Sequence, residues 1–332
     1  VINCSSKTSK NDRSLNDCVH QGPDLLPQLL GILIRSRPRQ YLMSGDVEKA
    51  FHQIVLDPND RDYVRIIWLR DITKPCDDDN LVVYRFARVL FGLKTSPFLL
   101  SAVLRYHFMS SPGNEAVILN TYVDNVFVFT DDKEFAVHEK FRLKDLLKDA
   151  CMNLRCFFSN DFEIDSVFDD SEKYTGEVTK ILGIEYDKVS DCFVFNIEIA
   201  DTGLVWTPAR IIKAQLQVFD PLGLLLPTFV PIKAFLHKLT KLKVPLKKPL
   251  SPHHDAEWRE ILRSYTVPCR ISIRRYAGRA ESYELHVFSD ASSSFVAACA
   301  YLRVKHPDGS FTVTLLMARS KVKDDLIRDV DD

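Results

Sequence analysis

Hydrophobic residues recur along this chain at two spacings, one typical of helices and one typical of strands. Together they predict a fold with both helices and strands. Short apolar runs rich in β-branched and aromatic residues favour strands. Such runs occupy Tyr41–Met43, Val64–Trp68, Leu81–Phe86, Val117–Leu119 and Val126–Phe129. Because Tyr122-Val123-Asp124-Asn125 separates the last two runs, and Asp and Asn favour turns, we expect a β-hairpin there with Asp124 at its tip.

Apolar residues at helical spacing predict helices at Pro23–Arg35 and Glu134–Met152. The buried side of the second helix is expected to contain Phe135, Phe141, Leu143, Leu146 and Leu147. Thr207 before Pro208 predicts the start of a helix that runs to Phe219. Two more helices are expected, one at Pro231–Leu242 and one that carries Trp258 and Leu262.

Three further strands are predicted near the C-terminus, at Tyr283–Ser289, Phe295–Leu302 and Thr312–Met317. The first of them ends at Asp290. A sheet of only these strands would have an uncovered edge, which favours association or disorder. An acidic stretch, Asp324–Asp332, follows them.

Two carboxylates at predicted strand ends are the candidate chemistry of the chain. Asp124 follows one apolar run, and Asp46 follows the Tyr41–Met43 strand. Each has a structural alternative. Asp124 is also a good turn residue, and Asp46 is also a good N-cap for a short helix after it. Considered singly, neither residue decides between a ligand and a structural role.

An ordered series of motifs resembles the polymerase region of BEL/Pao-type LTR retrotransposons, over residues 1 to about 320. Within the series, DVEKAFHQI and the YVDN hairpin resemble the palm of a reverse transcriptase. The motifs, in chain order, are Ser14–Asp17, Asp46–Ile54 (DVEKAFHQI), Tyr84–Phe86, Phe91–Phe98 (FGLKTSPF), Tyr122–Asn125 (YVDN), Ile181–Ile184 (ILGI), Phe219–Leu224 (FDPLGL) and Leu285–Ser292 (LHVFSDAS).

The resemblance implies an α+β fold with a right-hand polymerase palm, which has a ferredoxin-like βαββαβ core. The implied domains are truncated fingers (1–45), a palm with a finger-like insert (46–200), a helical thumb and connection (201–280), and a truncated RNase H-like remnant (281–332). It also implies an RNA-directed DNA polymerase, with an RNA or DNA template, a DNA primer and deoxynucleoside triphosphates as its partners.

The same resemblance assigns roles to individual residues. Asp46 and Asp124 correspond to the metal ligands, and Asn125 stands at the next catalytic position. Mg²⁺ is the expected ion, with Mn²⁺ as a substitute, because carboxylates suit hard cations. No Cys and His cluster at ligand spacing suggests zinc. The remaining candidates are nucleotide-binding Phe51, Phe91, Gly92 and Lys94, primer or template contacts Tyr122, Leu182, Gly183, Lys233, Lys238 and Lys241, and the RNase H-like carboxylate Asp290.

Alternatives remain open for several of these residues. Phe51 corresponds to the aromatic residue that excludes a 2′-hydroxyl, but a core aromatic is the plainer interpretation. Lys94 contacts either a phosphate or solvent. Leu182-Gly183 forms either a primer contact or an ordinary hairpin turn. Asp290 is otherwise a turn residue at a strand end.

Three departures from the family pattern argue for weakened activity. Asn125 replaces the second Asp of the usual pair, and one charge at such distances is worth roughly 1–4 kcal/mol. The chain begins at Val1, inside the segment that resembles the fingers, so triphosphate binding falls to Lys7, Arg13, Arg65 or backbone groups. RNase H activity is not expected, because one carboxylate cannot hold the two ions that this hydrolysis uses.

Composition adds limits to these expectations. The 332 residues are 46% hydrophobic and 27% charged, which is ordinary globular content. No apolar stretch of 18 residues occurs, so no membrane span is expected. Eight cysteines without a regular framework favour free thiols in a reducing compartment, and hence an intracellular, most simply cytoplasmic, location.

The net charge of −1 conceals an uneven distribution. Residues 210–248 contain eight Lys or Arg and one acid, whereas residues 131–191 contain sixteen acids and nine bases. A basic segment beside an acidic one is typical of a nucleic-acid clamp, although a solvated helix surface explains some of the lysines. We therefore carry two leading hypotheses: a metal-dependent reverse transcriptase, and an inactive nucleic-acid-binding remnant of one. A third, in which a palm-like sheet is a plain RNA-binding module, would leave Asp46 and Asp124 unused. The oligomeric state does not follow from the sequence.

Overall fold

The computed structural model describes residues 2–176, 178–201, 203 and 205–323, with mixed helix and strand content throughout. The fold is α+β, as predicted. The helices, numbered along the chain, are α1 (Leu15–Cys18), α2 (Leu29–Ser36), α3 (Ala50–Gln53), α4 (Ser96–Met109), α5 (Glu115–Leu119), α6 (Lys133–Asp149), α7 (Phe162–Ser166), α8 (Pro208–Gln215), α9 (Val230–Lys241) and α10 (Pro252–Arg263). Short 3₁₀ helices lie at Arg61–Tyr63 and Leu226–Phe229.

Among the described residues, the strands form four separate sheets. They are β1 (Tyr41–Val47), β2 (Arg65–Leu69), β3 (Leu81–Arg85), β4 (Thr121–Tyr122), β5 (Asn125–Thr130), β6 (Leu154–Ser159), β7 (Lys180–Ile181), β8 (Ile184–Asp187), β9 (Cys192–Ile197), β10 (Cys269–Arg274), β11 (Ser282–Ala291), β12 (Phe295–Lys305) and β13 (Phe311–Val322).

The chain divides into two compact units. The first contains the described part of residues 1–28 and 41–175, and the second contains residues 29–40 and the described part of 176–332. The second unit therefore includes α2 and the residues directly after it, although residues of the first unit flank them on both sides in the sequence.

The first unit is built around an antiparallel sheet with the order β4-β5-β1-β6. Between β1 and β4 the chain passes through α4, and between β5 and β6 it passes through α6. Side chains from both helices and from the sheet share one apolar core, exemplified by Met43, Leu104, Val128, Leu143 and Phe157. The separate β2–β3 hairpin lies between β1 and α4 in the sequence, and its two strands lie where they were predicted.

The second unit contains two sheets, with the orders β10-β9-β8-β7 and β11-β12-β13, and all their pairings are antiparallel. Its helices pack around Trp258, which is fully buried, with its ring 5.2 Å from that of Trp206 and 5.8 Å from that of Phe235. Thr207 accepts a hydrogen bond from Arg210 N and so caps α8, as predicted. The predictions of α9, α10 and the last three strands are confirmed.

Three predictions and one alternative from the sequence are wrong. Val117–Leu119 is part of helix α5 and not a strand, since an apolar run of this length does not distinguish the two. Helix α2 begins at Leu29 and not at Pro23, and α8 ends at Gln215 and not at Phe219. Asp46 lies within β1, and the residue that caps α3 is Lys49, so Asp46 is not an N-cap.

The predicted buried side of α6 is also partly wrong. Phe135 and Phe141 are 47% and 50% exposed, whereas Ala136, Leu143 and Leu147 are buried. The buried stripe continues through Lys140, whose aliphatic stem is buried while its ammonium group forms a salt bridge with Glu172. A pattern of apolar residues alone cannot include a lysine in such a stripe.

In the part of the chain that the structure describes, no helix combines the length and the hydropathy needed to cross a membrane.

Candidate active site

The two candidate carboxylates lie on neighbouring strands of the first sheet. Asp46 on β1 is the cross-strand partner of Asn125 on β5, and Val47 N donates a hydrogen bond to Asp124 O at 2.8 Å. Directly opposed residues of an antiparallel pair place their side chains on the same face of the sheet. The β1–β5 register therefore brings together residues that are almost eighty positions apart in the sequence.

The hairpin between β4 and β5 has a two-residue turn, Val123-Asp124, closed by the Tyr122–Asn125 pair. Val123 has φ +57°, a conformation that β-branched residues rarely adopt. Asn125 Nδ2 donates a hydrogen bond to Asp124 Oδ1 at 2.9 Å. The turn and this hydrogen bond together fix Asp124 at the hairpin tip, and such local strain is typical of functional sites.

Asp46 is electrostatically unusual. Partial burial raises its pKa, the neighbouring charge of Asp124 raises it further, and Arg155 opposes both effects, so that the pKa of Asp46 is about 6. A carboxylate that is costly to ionise beside a second carboxylate is a site at which a cation would be stabilised.

A bulge in β6 sets the position of Arg155 opposite Asp46. Ser44 pairs with Phe158 and Asp46 pairs with Arg155, so two residues of β6 oppose the single Gly45 of β1. One of the two, Cys156, has φ +55°. Bulges of this kind redirect side chains and are common beside active sites.

Arg155 also binds a third acidic side chain. Its Nη1 lies 3.0 Å from Glu48 Oε1, and Asn153 Nδ2 donates to Glu48 Oε2 at 3.0 Å. The sequence interpretation missed both Arg155 and Glu48. The sequence could have indicated Glu48 as a site residue, since it lies two residues after Asp46. The position of Arg155 depends on the bulge, which the sequence pattern does not indicate.

The predicted nucleotide-binding residues lie in the same unit as the carboxylates. Phe51 is 9% exposed, and its ring packs edge-on against that of half-exposed Phe91, with centroids 5.0 Å apart. Gly92 has φ +91°, and a Cβ there would lie 3.0 Å from Ile2 O. Lys94 is exposed, and its backbone N–H donates to Asn16 Oδ1 at 2.9 Å.

The other predicted contacts belong to the second unit, except for Tyr122, which is on β4. Leu182 and Gly183, with φ +48° and +91°, form the turn between β7 and β8. Lys238 forms a salt bridge with Glu257 at 2.7 Å, and Lys241 is exposed at the end of α9. Asp290 is exposed in β11 and accepts a hydrogen bond from Ala291 N.

Lys233, the remaining predicted contact, is partly buried on α9, and its Nζ lies 3.3 Å from Ser320 Oγ. Burial lowers the pKa of Lys233. It therefore differs from the solvated lysines of the same helix.

The donors at the candidate site suit a hard cation, although they are few. Among the described residues, no group of three or more His, Cys, Asp or Glu side chains is placed to hold a metal ion. Asp46 and Asp124 supply two carboxylates, and Asn125 adds a neutral amide. Oxygen donors of this type fit Mg²⁺ or Mn²⁺, which bind through a few carboxylates and complete their coordination with water and substrate phosphates.

Comparison with known proteins gives two matches, one for each part of the chain. Residues 5–155 match a sequence family described as reverse transcriptase (RNA-dependent DNA polymerase). Residues 207–326 match a family described as Pao retrotransposon-like RNaseH-like domain. No curated protein matches the chain. The first match contains both candidate carboxylates, and the second contains Lys233 and Asp290.

Proposed function

Because the chain belongs to the reverse transcriptase and RNase H-like region of Pao-type retrotransposons, we propose that Asp46 and Asp124 are the carboxylates with which it extends a DNA strand. The observation that supports this proposal is the β1–β5 pairing: Asp46 lies opposite Asn125, and Val47 N donates a hydrogen bond to Asp124 O. Asp124 is therefore near enough for its charge to raise the pKa of Asp46. The strand order of this sheet, with its α4 and α6 connections, supports its assignment as the ferredoxin-like palm of the polymerase.

Asp46 and Asp124 would hold the divalent ions, with Mg²⁺ as the expected metal and Mn²⁺ as a substitute. When bound, a pair of such ions about 3.5–4 Å apart would stabilise the attacking and leaving oxygens of phosphoryl transfer. Asp46 is ionised above its pKa of about 6, so its carboxylate is available as a ligand at neutral pH. Asn125 holds Asp124 in place through its amide N–H, which a second Asp would not do in its ionised form.

The substrates follow from the family: a nucleic-acid template with a DNA primer, and deoxynucleoside triphosphates. We assign discrimination against a 2′-hydroxyl to Phe51, since its ring is held in place by Phe91. We assign contact with the incoming nucleotide to Phe91, Gly92 and Lys94. Tyr122 and the Leu182-Gly183 turn are assigned to the primer and template.

Extension of a DNA primer on an RNA template by the purified chain, in Mg²⁺ and in Mn²⁺, tests this function. We expect extension that stops when the metal is chelated and that Asp124→Asn abolishes. Asp78→Asn is the matched control, because Asp78 is exposed in the loop between β2 and β3. Asn125→Asp is expected to increase extension, since it returns a negative charge to the site.

The outcomes separate the two hypotheses. If the wild-type chain and Asn125→Asp both bind the duplex but neither extends the primer, the chain is a nucleic-acid-binding remnant and the catalytic proposal is wrong. If Asp124→Asn extends as well as the wild type, Asp124 is not a metal ligand.

A further inference from the structure

A cavity of about 260 Å³ in the second unit lies beside the Phe219–Leu224 motif, to which the proposed chemistry gives no role. Its walls come from the loop after α8, from α9 and from β13. Three polar side chains line it from the last two elements: Lys233 from α9, and Arg319 and Ser320 from β13. Asp220 lines it from the loop.

The loop is held against β13 by backbone contact. Ala318 N donates a hydrogen bond to Leu222 O at 2.8 Å. Gly223 has φ +71°, and a Cβ at this position would lie 2.0 Å from Ala318 O. The loop that borders the cavity is therefore hydrogen-bonded to β13 and packs closely against its backbone.

The charges around the cavity are unbalanced. Burial lowers the pKa of Lys233, the charge of Asp220 raises it, and the charge of Arg319 lowers it. Neither cation forms a salt bridge with any of the described residues, and Lys233 Nζ hydrogen-bonds to the hydroxyl of Ser320. Two cations beside one carboxylate leave a net positive charge, which a bound anion would stabilise.

Asp220, the one carboxylate among the described residues that line the cavity, is already engaged. Asp220 Oδ1 accepts a hydrogen bond from Leu224 N at 3.0 Å, and Oδ2 accepts one from Leu225 N at 2.7 Å. These two N–H groups stabilise the ionised form of Asp220 within the loop. The site therefore retains a net positive charge and a set of unused donors.

Those donors fit a phosphate group. An ammonium, a guanidinium and a hydroxyl all donate hydrogen bonds, and Arg and Lys are the usual phosphate ligands of proteins. Apart from Gln215, the rest of the wall is largely apolar and includes Phe219 and Leu226, against which a sugar or base would pack.

The location favours a phosphate of nucleic acid. The ring of Phe219 lies against Gly183, since a Cβ at Gly183 would be 3.1 Å from Phe219 Cε1. The cavity is therefore adjacent to the Leu182-Gly183 turn, which the proposed function assigns to the primer. We propose that Lys233, Arg319 and Ser320 bind a backbone phosphate of the nucleic-acid strand that passes this turn, an inference that rests on the proposed function.

Equilibrium binding of a fluorescently labelled DNA primer annealed to an RNA template tests the site, in chelator and without nucleotide, over a range of salt concentrations. We expect Lys233→Gln and Arg319→Gln each to weaken binding several-fold. Each should also reduce the slope of log K against log salt by about 0.9, the value for one phosphate contact. Lys233→Arg keeps the charge and should bind like the wild type.

Arg263→Gln is the control. Arg263 lies on α10 in the same unit, has no assigned role and is already paired with Glu260, so its substitution should change affinity and slope much less. The proposal is overturned if Lys233→Gln and Arg319→Gln change the slope no more than Arg263→Gln does. Arg319 is exposed, so its substitution tests the site even if Lys233→Gln fails to fold.

A second arm separates nucleic acid from free phosphate. Inorganic phosphate is added at constant ionic strength, and duplex binding is compared with that in chloride. If Lys233→Gln abolishes specific competition by phosphate but leaves duplex affinity in chloride unchanged, the cavity binds free phosphate and the proposal is wrong. Because binding is measured without metal, a chain that fails to extend primers still gives a result here. Failure of the phosphate-site proposal can therefore be distinguished from failure of the proposed polymerase function.

Discussion

Asp46 is the residue at which function and stability most clearly oppose each other. Its pKa of about 6, against an ordinary value of 3.8, means that ionisation is harder in the folded chain than in the unfolded one. Burial and the charge of Asp124 cause this, and Arg155 only partly compensates. A residue kept in an unfavourable state is consistent with a ligand role, because a bound cation would remove the penalty.

Asp46→Asn should therefore stabilise the chain at neutral pH while it abolishes primer extension. A raised pKa in the folded state contributes stability below pH 3.8 that is lost as the pH rises through 6. The variant avoids this loss. Its free energy of unfolding should therefore equal that of the wild type near pH 4 and exceed it fully above pH 7. The difference should reach at most about 3 kcal/mol, and solvent screening would reduce it.

Urea unfolding of the wild type and Asp46→Asn at several pH values, without metal, measures this difference. Asp78→Asn again serves as the exposed control. A difference that does not change between pH 4 and pH 7 would contradict the pKa assigned to Asp46.

At the scale of elements, the sequence predicted long and strongly patterned segments well. Strands β2, β3 and β11 to β13 and helices α9 and α10 are where their patterns indicated. The failures are short or mixed segments, such as the helical Val117–Leu119 and the lysine in the stripe of α6. Such segments depend on what packs against them, which the local pattern does not contain.

The loop after α8 gives a prediction at this scale, because Gly223 contacts the backbone of β13. Gly223→Ala should destabilise the second unit, since neither Ala318 O nor its chain can move aside easily. Gly309→Ala is the matched control: its φ is +82°, but nothing lies within 4 Å of the added Cβ. The control should cost about 1–2 kcal/mol, the penalty for an L-residue in this conformation, and Gly223→Ala should cost clearly more.

Denaturant unfolding followed by tryptophan fluorescence measures both variants, since Trp206 and Trp258 lie in the second unit. Equal losses in the two variants would mean that the contact between the loop and β13 adds nothing to the backbone penalty.

At the scale of the molecule, a buried arginine connects distant parts of the second unit. Arg275 is fully buried and donates to both oxygens of Asp191, at 2.6 and 2.9 Å. It also donates to the carbonyl oxygens of Ser36, Arg39 and Gln40. These hydrogen bonds join the segment after α2 to the β8–β9 hairpin, and they account for the membership of residues 29–40 in this unit.

Arg275→Met should destabilise the second unit by about 3–5 kcal/mol, because it removes the charged partner of Asp191 and a donor to three carbonyl groups. Adding Asp191→Leu should recover part of the loss, since no uncompensated charge then remains. Arg263→Met, which removes an exposed ion pair with Glu260, should cost no more than about 1 kcal/mol.

Tryptophan fluorescence during denaturant unfolding again reports on this unit. If Arg275→Met costs no more than Arg263→Met, the buried cluster does not hold the unit together.

The sequence by itself determined the family, the α+β class and the two candidate carboxylates. The order of motifs and the pattern of strand residues can both be recognised in the sequence without a structure. The division into fingers, palm, thumb and RNase H-like domains, and the roles of the site residues, remain predictions. Tertiary structure alone decided that Arg155 faces Asp46, that Lys233 and Arg319 share a cavity, and that α2 joins the second unit. Each of these depends on strand register, on a bulge or on contacts between distant segments, and no local pattern encodes such contacts.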